Sequence, residues 1–548
     1  MKRPSLTSIQ LSLLVTIFVL ATANQAFWIK GWTYFDGHPF AFAAFGVAIV
    51  LLGASLLTMF SMKYVIKPAF ILFVLVAAVS SYFVDSFGIV VDRDMIQNAV
   101  ATTPAEAGAL ITPDFLLHVI LFGALPALAI CLVRVRHRTI LAKAGWNTAF
   151  IAPAILVVLA IVFANFSTFA ATFRNHRDLM ASLNPAGAIV GFGKVVDRHF
   201  ADRNLVVAAL GEDARRAPAN AGARPRLLVV VAGETARAQN FSLLGYDRDT
   251  NPQLAQRDVV AFSNVESCGT MTAVSLPCMF SVYGRSDYSD RKGKSTENLL
   301  DVLDRAGVAT SWFDNNTGSK GIADRLPHEY LPEAGDPRYC EGGECRDDVL
   351  VDRLKIAIDD LKTDSVIVLH QIGSHGPAYY KRYDESARRF VPDCRTPQLA
   401  DCTAEELTNA YDNTIVQTDR NLAQIIDVLA SHEDRIDTAM IYVSDHGESL
   451  GESGLYLHAA PYFMAPVEQT HVPMIAWFSD GFSHDAALDR ACLVEESGDA
   501  LSHDNLFHTV LGLMDVETAV YEPALDLTTP CRDPDAGNTS GDTEEPRA

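Results

Sequence analysis

None of the nine cysteines stands in a C-x-x-C spacing, which removes a zinc ribbon from consideration. Beyond residue 170 the chain lacks any long apolar run and is short of positive charge, with 34 Lys or Arg against 60 Asp or Glu. That imbalance excludes nucleic acid as a partner, because neutralising phosphates takes clustered Lys and Arg. The first 170 residues lack charge of either sign, with ten basic and six acidic side chains. A chain of 548 residues that carries a net charge of -22 and still has a mean hydropathy of +0.14 is not one uniform soluble domain. Its length predicts two to four domains. The acidic part keeps enough apolar runs to build a core, so it is not a disordered acidic chain.

Five segments reach the roughly 20 apolar residues that a spanning helix needs: 9–28, 40–59, 69–87, 115–133 and 149–170. Lys2 and Arg3, then Lys63 and Lys67, then Arg134, Arg136, Arg138 and Lys143 fall in alternate loops. By the positive-inside rule these loops are cytoplasmic, and five spans put everything after residue 170 on the other side. Lys2 and Arg3 before an apolar run that ends in Ala21, Thr22 and Ala23 also fit a cleaved signal peptide, which would leave the large domain in the same place. Trp28, Trp32, Tyr34 and Phe35 read as interfacial anchors.

The expected domains are therefore a transmembrane domain over 1–170, membrane-surface bridging helices and linker over 171–224, a catalytic domain over 225–532 and a disordered tail over 533–548. A plain linker is the alternative for the bridge. Residues 203–226, rich in Ala, Arg and Pro, read as a flexible boundary.

Within the large domain, 227–232 is a Val-rich run that stops at Gly233 and Glu234, the pattern of a strand buried on both faces. Similar runs at 308–313, 366–369, 439–443 and 472–478 alternate with helical patterns such as 299–306 and 407–429. The alternation predicts an α/β fold, a parallel sheet with helices on both faces and ligands at the carboxyl ends of strands. Glu234, Asp445 and His446 stand at such ends. Delivered to one edge they make a metal site, for which Zn2+ is the natural ion; a capped turn is the competing reading of Asp445-His446-Gly447. The crowding of Ser444 through Glu448 and His458 favours ligands.

Cys131 lies in the fourth span and is expected to be inert core. The other eight cysteines lie beyond residue 170, and six form close pairs that read as disulfides in an oxidising compartment: Cys268 with Cys278, Cys340 with Cys345, Cys394 with Cys402. Cys492 and Cys531 are candidates for a fourth bridge. Between the first pair, a small-residue turn entering a helix can present a Thr hydroxyl at a helix N-terminus, where an anion or alkoxide is favoured. Such a hydroxyl needs a base or a metal to become a nucleophile.

Residues Gly233 to Arg237 with Gly245 and Tyr246, 267–281, 314–321, 370–377 and 444–452 with His458 together resemble the lipid A phosphoethanolamine transferases, the family that includes mobile colistin-resistance enzymes. The match runs from the first span to about Arg532. More distantly the large domain resembles alkaline phosphatases and sulfatases, which implies a mixed sheet flanked by helices, attached here to an all-α five-helix membrane domain. The resemblance implies that Thr272 is the nucleophile and that Glu234, Asp445, His446 and the Thr272 oxygen hold a tightly bound zinc. It gives His375 and His458 substrate-handling roles, with a second zinc as an option. Asn316 and Lys320 would contact the phosphoryl group and Thr270 would line the pocket. His370 reads as a strand-end structural residue and His471 as an ordinary surface residue; Met271 departs from the small residue common in the family.

The implied reaction moves phosphoethanolamine from phosphatidylethanolamine to a phosphate of lipid A, with His375 as the proton carrier. It lowers outer-membrane anionic charge and so weakens polymyxins. The implied location is the inner membrane, with the N-terminus cytoplasmic, the catalytic domain periplasmic and a monomer expected. Transfer to a core sugar, phosphoglycerol transfer, a phosphodiesterase and a catalytically silent sensor are the competing readings. A sulfatase is disfavoured because Thr272 cannot become formylglycine.

Overall fold

The computed structural model describes residues 4–102, 104–176, 178–202, 205–216 and 224–532. The tail expected at 533–548 and part of the boundary at 203–226 lie outside them. Two compact units make up the chain, Met1–Ala99 with Ile111–Phe200, and Val100–Leu110 with the residues from Ala201 onward.

The first unit is helical: α1 (Ser8–Thr22), α2 (Gln25–Tyr34), α3 (Pro39–Met59), α4 (Ile66–Phe87), α5 (Pro113–Leu132) and α6 (Ile140–Ala164). Among the described residues, α3, α4, α5 and α6 are each long and apolar enough to cross a bilayer, and α1 with α2 makes a fifth only as a pair bent by 74°. The continuous first span expected at 9–28 is therefore broken. At the break Asn24 donates to the carbonyls of Val19 and Asn184, both at 3.1 Å, and accepts the Asn184 N–H at 2.8 Å. The Asn24 side chain thus links the end of α1, where the Val19 carbonyl also accepts the Ala23 N–H at 2.9 Å, to Asn184. Helix α5 widens into a π turn at Ile120–Ala124 just before Pro126, which has no N–H to return to the carbonyl of residue 122. Helix α6 begins at Ile140, well before the expected 149, and ends at Ala164, so the span expected to reach 170 divides at Asn165. Cys131, expected in the core, is instead exposed, on a helix that turns most of its surface away from the protein.

The second unit is built on an eight-stranded sheet. Its strands are β1 (Arg226–Gly233), β2 (Val260–Glu266), β3 (Ala309–Asp314), β4 (His328–Tyr330), β5 (Ser365–His370), β6 (Asp437–Ser444), β7 (His471–Phe478) and β8 (Leu501–Ser502). Their order is β8-β2-β7-β6-β1-β5-β3-β4. Strands β6, β1, β5, β3 and β4 run parallel, and β7 is antiparallel to both β6 and β2, so the sheet is mixed. Every residue of β1, β5 and β6 is buried. Leu228, Val230 and Ala232 pack against α8 (Leu299–Arg305) and α11 (Asp504–Leu513) through one apolar cluster. The opposite face meets α10 (Ala404–Ala430). Each buried Val or Leu of these strands contributes about 1.5–3 kcal/mol relative to exposure. All eight cysteines of this unit are bonded, as Cys268–Cys278, Cys340–Cys345, Cys394–Cys402 and Cys492–Cys531.

Candidate functional site

Four adjacent parallel strands end at one edge, and each hands a polar residue to the same place. Glu234 follows β1, Asp445 and His446 follow β6, Asn315 and Asn316 follow β3, and the loop Gln371–His375 follows β5. Glu234, Asp445 and His446 are fully buried, and one ligand atom from each lies within 4.8 Å of the others. The His446 Nε2 is 3.3 Å from Glu234 Oε1 and 3.5 Å from Asp445 Oδ2. Its Nδ1 lies 2.9 Å from the Gly447 carbonyl, which assigns the proton to Nδ1 and leaves Nε2 for a ligand.

The outward oxygens of the two carboxylates are satisfied. Glu234 Oε2 accepts from the Thr272 hydroxyl at 2.9 Å and from Asn316 Nδ2 at 2.6 Å. Asp445 Oδ1 accepts the N–H groups of His446 at 2.7 Å and Thr235 at 3.3 Å. The inward oxygens, Glu234 Oε1 and Asp445 Oδ2, have no hydrogen-bond partner. Buried carboxylate oxygens left bare beside an imidazole nitrogen fit a divalent cation, and this donor set fits zinc. The Thr272 hydroxyl lies 3.5 Å from His446 Nε2, beside these three groups.

The electrostatics follow from two acids sharing one buried space. Burial and the neighbouring Glu234 charge push Asp445 up to about 7. Burial acts against ionising His446, yet Asp445 and Glu234 raise it to about 10. Burial alone would raise Glu234, but the neighbouring His446 imidazole carries it well below its ordinary value.

Thr272 is the first residue of α7 (Thr272–Met279), entered from Met271 in extended conformation and bridged at its base by Cys268–Cys278. No side chain caps this helix, so its first amides face the hydroxyl's surroundings. Met271 is buried and its carbonyl accepts the Ser275 N–H at 2.9 Å. Thr270 is occupied: its hydroxyl donates to the Ala460 carbonyl at 2.7 Å, tying the turn to the loop after His458. His375 and His458 are both buried, with ring centroids 5.2 Å apart, and His458 is 4.7 Å from His446. His458 Nδ1 rests 3.3 Å from Glu448 Oε2. Lys320 is half-buried in the loop after β3 and donates to the Thr317 carbonyl at 2.9 Å. His471 opens β7, with Nε2 2.7 Å from the Ser263 carbonyl.

Sequence reasoning misses His503 and the hydrogen-bond chain to which His370, read as a strand-end structural residue, belongs. His370 is buried, with Nδ1 2.8 Å from Asp314 Oδ2 and Nε2 3.3 Å from the Asn316 amide that holds Glu234, so a chain Asp314, His370, Asn316, Glu234 stiffens the site. The placement of Asp314 just before Asn315 and Asn316, at a strand end, is the signal that points to it. His503 accepts the Cys268 N–H at Nδ1, 3.0 Å, and donates from Nε2 to the Ser444 carbonyl, 2.9 Å, linking the Thr272 turn to the strand that ends in Asp445. No local motif marks it.

Burial pushes His503 down to about 3, so the folded protein keeps it neutral while an unfolded imidazole titrates near 6.5. Below about 6.5 the unfolded chain takes up a proton that the native site refuses, and stability falls by roughly 1 kcal/mol per pH unit until about 3. Thermal melts from pH 7 to 5 are expected to show a steeper loss for wild type than for His503→Gln, which keeps an acceptor and a donor. Equal slopes would show that His503 does not carry the acid sensitivity.

Residues 226–516 match the Sulfatase family model, and residues 49–200 match the model for phosphoethanolamine transferase EptA/EptB. The chain is 41% identical over 539 residues to phosphoethanolamine transferase EptA of Escherichia coli (strain K12), covering 97% of this chain and 98% of that protein. It is 40% identical over 522 residues to phosphatidylethanolamine transferase Mcr-1 of Escherichia coli, covering 92% and 94%. The solved structure of the integral membrane lipooligosaccharide phosphoethanolamine transferase A (EptA) from Neisseria meningitidis matches with a TM-score of 0.92 at 36% identity, over 97% of this chain and 100% of that one.

Proposed function

From membership of the EptA phosphoethanolamine transferase family, to which this chain belongs, we propose that it carries phosphoethanolamine from phosphatidylethanolamine to a phosphate of lipid A through a covalent bond to Thr272. The observation that carries the reading is the Thr272 hydroxyl, held at a helix N-terminus 2.9 Å from Glu234 Oε2 and 3.5 Å from His446 Nε2.

Glu234, Asp445 and His446, with the Thr272 oxygen beside them, would hold a zinc ion, whose charge would favour the deprotonated form of that oxygen. The Thr272 hydroxyl donates to Glu234 Oε2, and its proton would leave along this contact as the Thr272 oxygen forms its bond to phosphorus. The bond from phosphorus to diacylglycerol breaks, and His375 supplies the proton that the departing oxygen needs. Lys320, Asn316 and the first amides of α7 balance charge on the phosphoryl oxygens. In the second half reaction a lipid A phosphate oxygen attacks the same phosphorus and gives its proton to His375, the bond from phosphorus to the Thr272 oxygen breaks, that oxygen recovers its proton, and phosphoethanolamine is passed on. His458 steadies the substrates beside His375.

Both substrates are lipids, which explains an enzyme carried on apolar helices. The catalytic unit is periplasmic and the helices lie in the inner membrane. Each transferred ammonium offsets a lipid A charge and lowers the affinity of polymyxins.

Mass spectrometry of lipid A from Gram-negative cells expressing the chain is expected to show a phosphoethanolamine adduct absent from vector controls. An adduct confined to the core sugars would move the acceptor, and no adduct from a folded protein would remove the transfer reading.

A further inference from the structure

Asp347 lies between the Cys340–Cys345 hairpin and α9 (Asp348–Asp359), and it is buried. It accepts three hydrogen bonds, all from the two loops that surround Glu234. Asn315 Nδ2 donates to Oδ1 at 2.7 Å, the Ile372 N–H donates to Oδ1 at 2.9 Å, and the Gly373 N–H donates to Oδ2 at 2.9 Å. Asn315 also donates to the Cys345 carbonyl at 2.9 Å, so the stapled hairpin is tied into the same junction. Burial raises the Asp347 carboxyl to about 6, and the three hydrogen bonds that favour its charged form do not fully offset that. A carboxylate is held here by acceptor geometry.

The Gly373 end of this loop lies directly on Glu234. Gly373 has φ +50°, and a Cβ there would sit 2.5 Å from the Glu234 carbonyl oxygen and 3.0 Å from its nitrogen. The Ser374 N–H donates to that carbonyl at 3.0 Å, and His375 follows immediately, its own carbonyl accepting from Arg382 Nε at 2.9 Å. Asn316, next to Asn315, donates to Glu234 Oε2. A shift at Asp347 is therefore passed to His375, Asn316 and Glu234 together.

We propose that Asp347 is a positioning residue that fixes the His375 loop and the Asn315-Asn316 turn against Glu234, setting the geometry of the reaction without touching substrate. The inference rests on the transfer reading only for its kinetic test. Asparagine is nearly isosteric but has one acceptor oxygen, and its NH2 would meet an N–H of the loop, so Asp347→Asn separates acceptor geometry from volume.

The experiment uses the full-length protein. Hydrogen exchange over 371–376 needs no activity: faster exchange in Asp347→Asn is expected, and unchanged exchange overturns the proposal. Turnover of a fluorescent phosphatidylethanolamine is measured alongside zinc content. A fall in kcat of about 10- to 100-fold, with KM within twofold and zinc retained, is expected from misplacing reacting groups by a fraction of an ångström. Unchanged kcat, or loss of activity in proportion to lost zinc, overturns it. If Asp347→Asn does not fold, Asn315→Ala removes one donor and is expected to speed exchange of the same segment, with unchanged exchange overturning the proposal. Absence of turnover in wild type would sink the transfer reading while the exchange result still decides the role of Asp347.

Discussion

Thr272→Ala is expected to abolish phosphoethanolamine transfer, by a factor on the order of 10³ or more, while the protein still folds. The size follows from chemistry: without the hydroxyl no covalent step exists, and direct transfer between two lipids would need both reacting centres at one phosphorus at once. Folding survives because the hydroxyl is only one of two donors to Glu234 Oε2, and Asn316 remains at 2.6 Å. Thr272→Ser keeps the hydroxyl and loses one methyl group, so it is expected to retain activity within about tenfold. Incubation with phosphatidylethanolamine alone should add one phosphoethanolamine to the intact wild-type protein and none to Thr272→Ala. An adduct of equal yield on both would place the nucleophile elsewhere.

What was legible in the sequence is what local pattern encodes. The apolar runs of β1, β5 and β6 are buried on both faces, and the endings at Glu234 and at Asp445 announce the carboxyl edge because ligand-type residues interrupt an apolar run. The antiparallel direction of β7 was not legible, since 472–478 reads as the same kind of run in either direction. The bend between α1 and α2 depends on Asn24 meeting Asn184, 160 positions away, and composition alone shows one continuous apolar segment. Cys131 was misplaced for a related reason: in a helix apolar all round, periodicity does not say which face meets protein. The outer layer of the site was hidden in the same way. His503 reaches Cys268 across 235 positions, and Asp347 serves loops that follow two other strands. Asn316, expected to meet the phosphoryl group, also holds Glu234, a second duty that only geometry exposes.

Asp445→Asn is expected to lower zinc content from one ion per chain to near none and transfer by about a hundredfold or more, yet to make the metal-free protein more stable. Asp445 Oδ2 and Glu234 Oε1 have no hydrogen-bond partner, and Asp445 is raised to about 7 by burial and by Glu234. Asparagine keeps an oxygen for the His446 and Thr235 N–H groups that now bond Oδ1. Its NH2 then replaces Oδ2 and removes one of the two carboxylate charges that share this buried space. A gain of about 1–2 kcal/mol follows from removing a carboxyl whose ionised form burial and Glu234 disfavour despite the neighbouring His446, visible as a melting point a few degrees higher after chelation. With zinc present the order reverses, because wild type gains binding free energy that the variant cannot. Acid acts in the same direction as the mutation: as pH falls through about 7 the Asp445 carboxylate takes up a proton that competes with the ion, while His446, raised to about 10 without metal, must give one up for zinc to bind. Zinc affinity is therefore expected to rise between pH 5 and 8 in wild type. Full zinc occupancy in Asp445→Asn, or a metal-free variant no more stable than wild type, would mean that the bare oxygens of Glu234 and Asp445 are not where the ion is held.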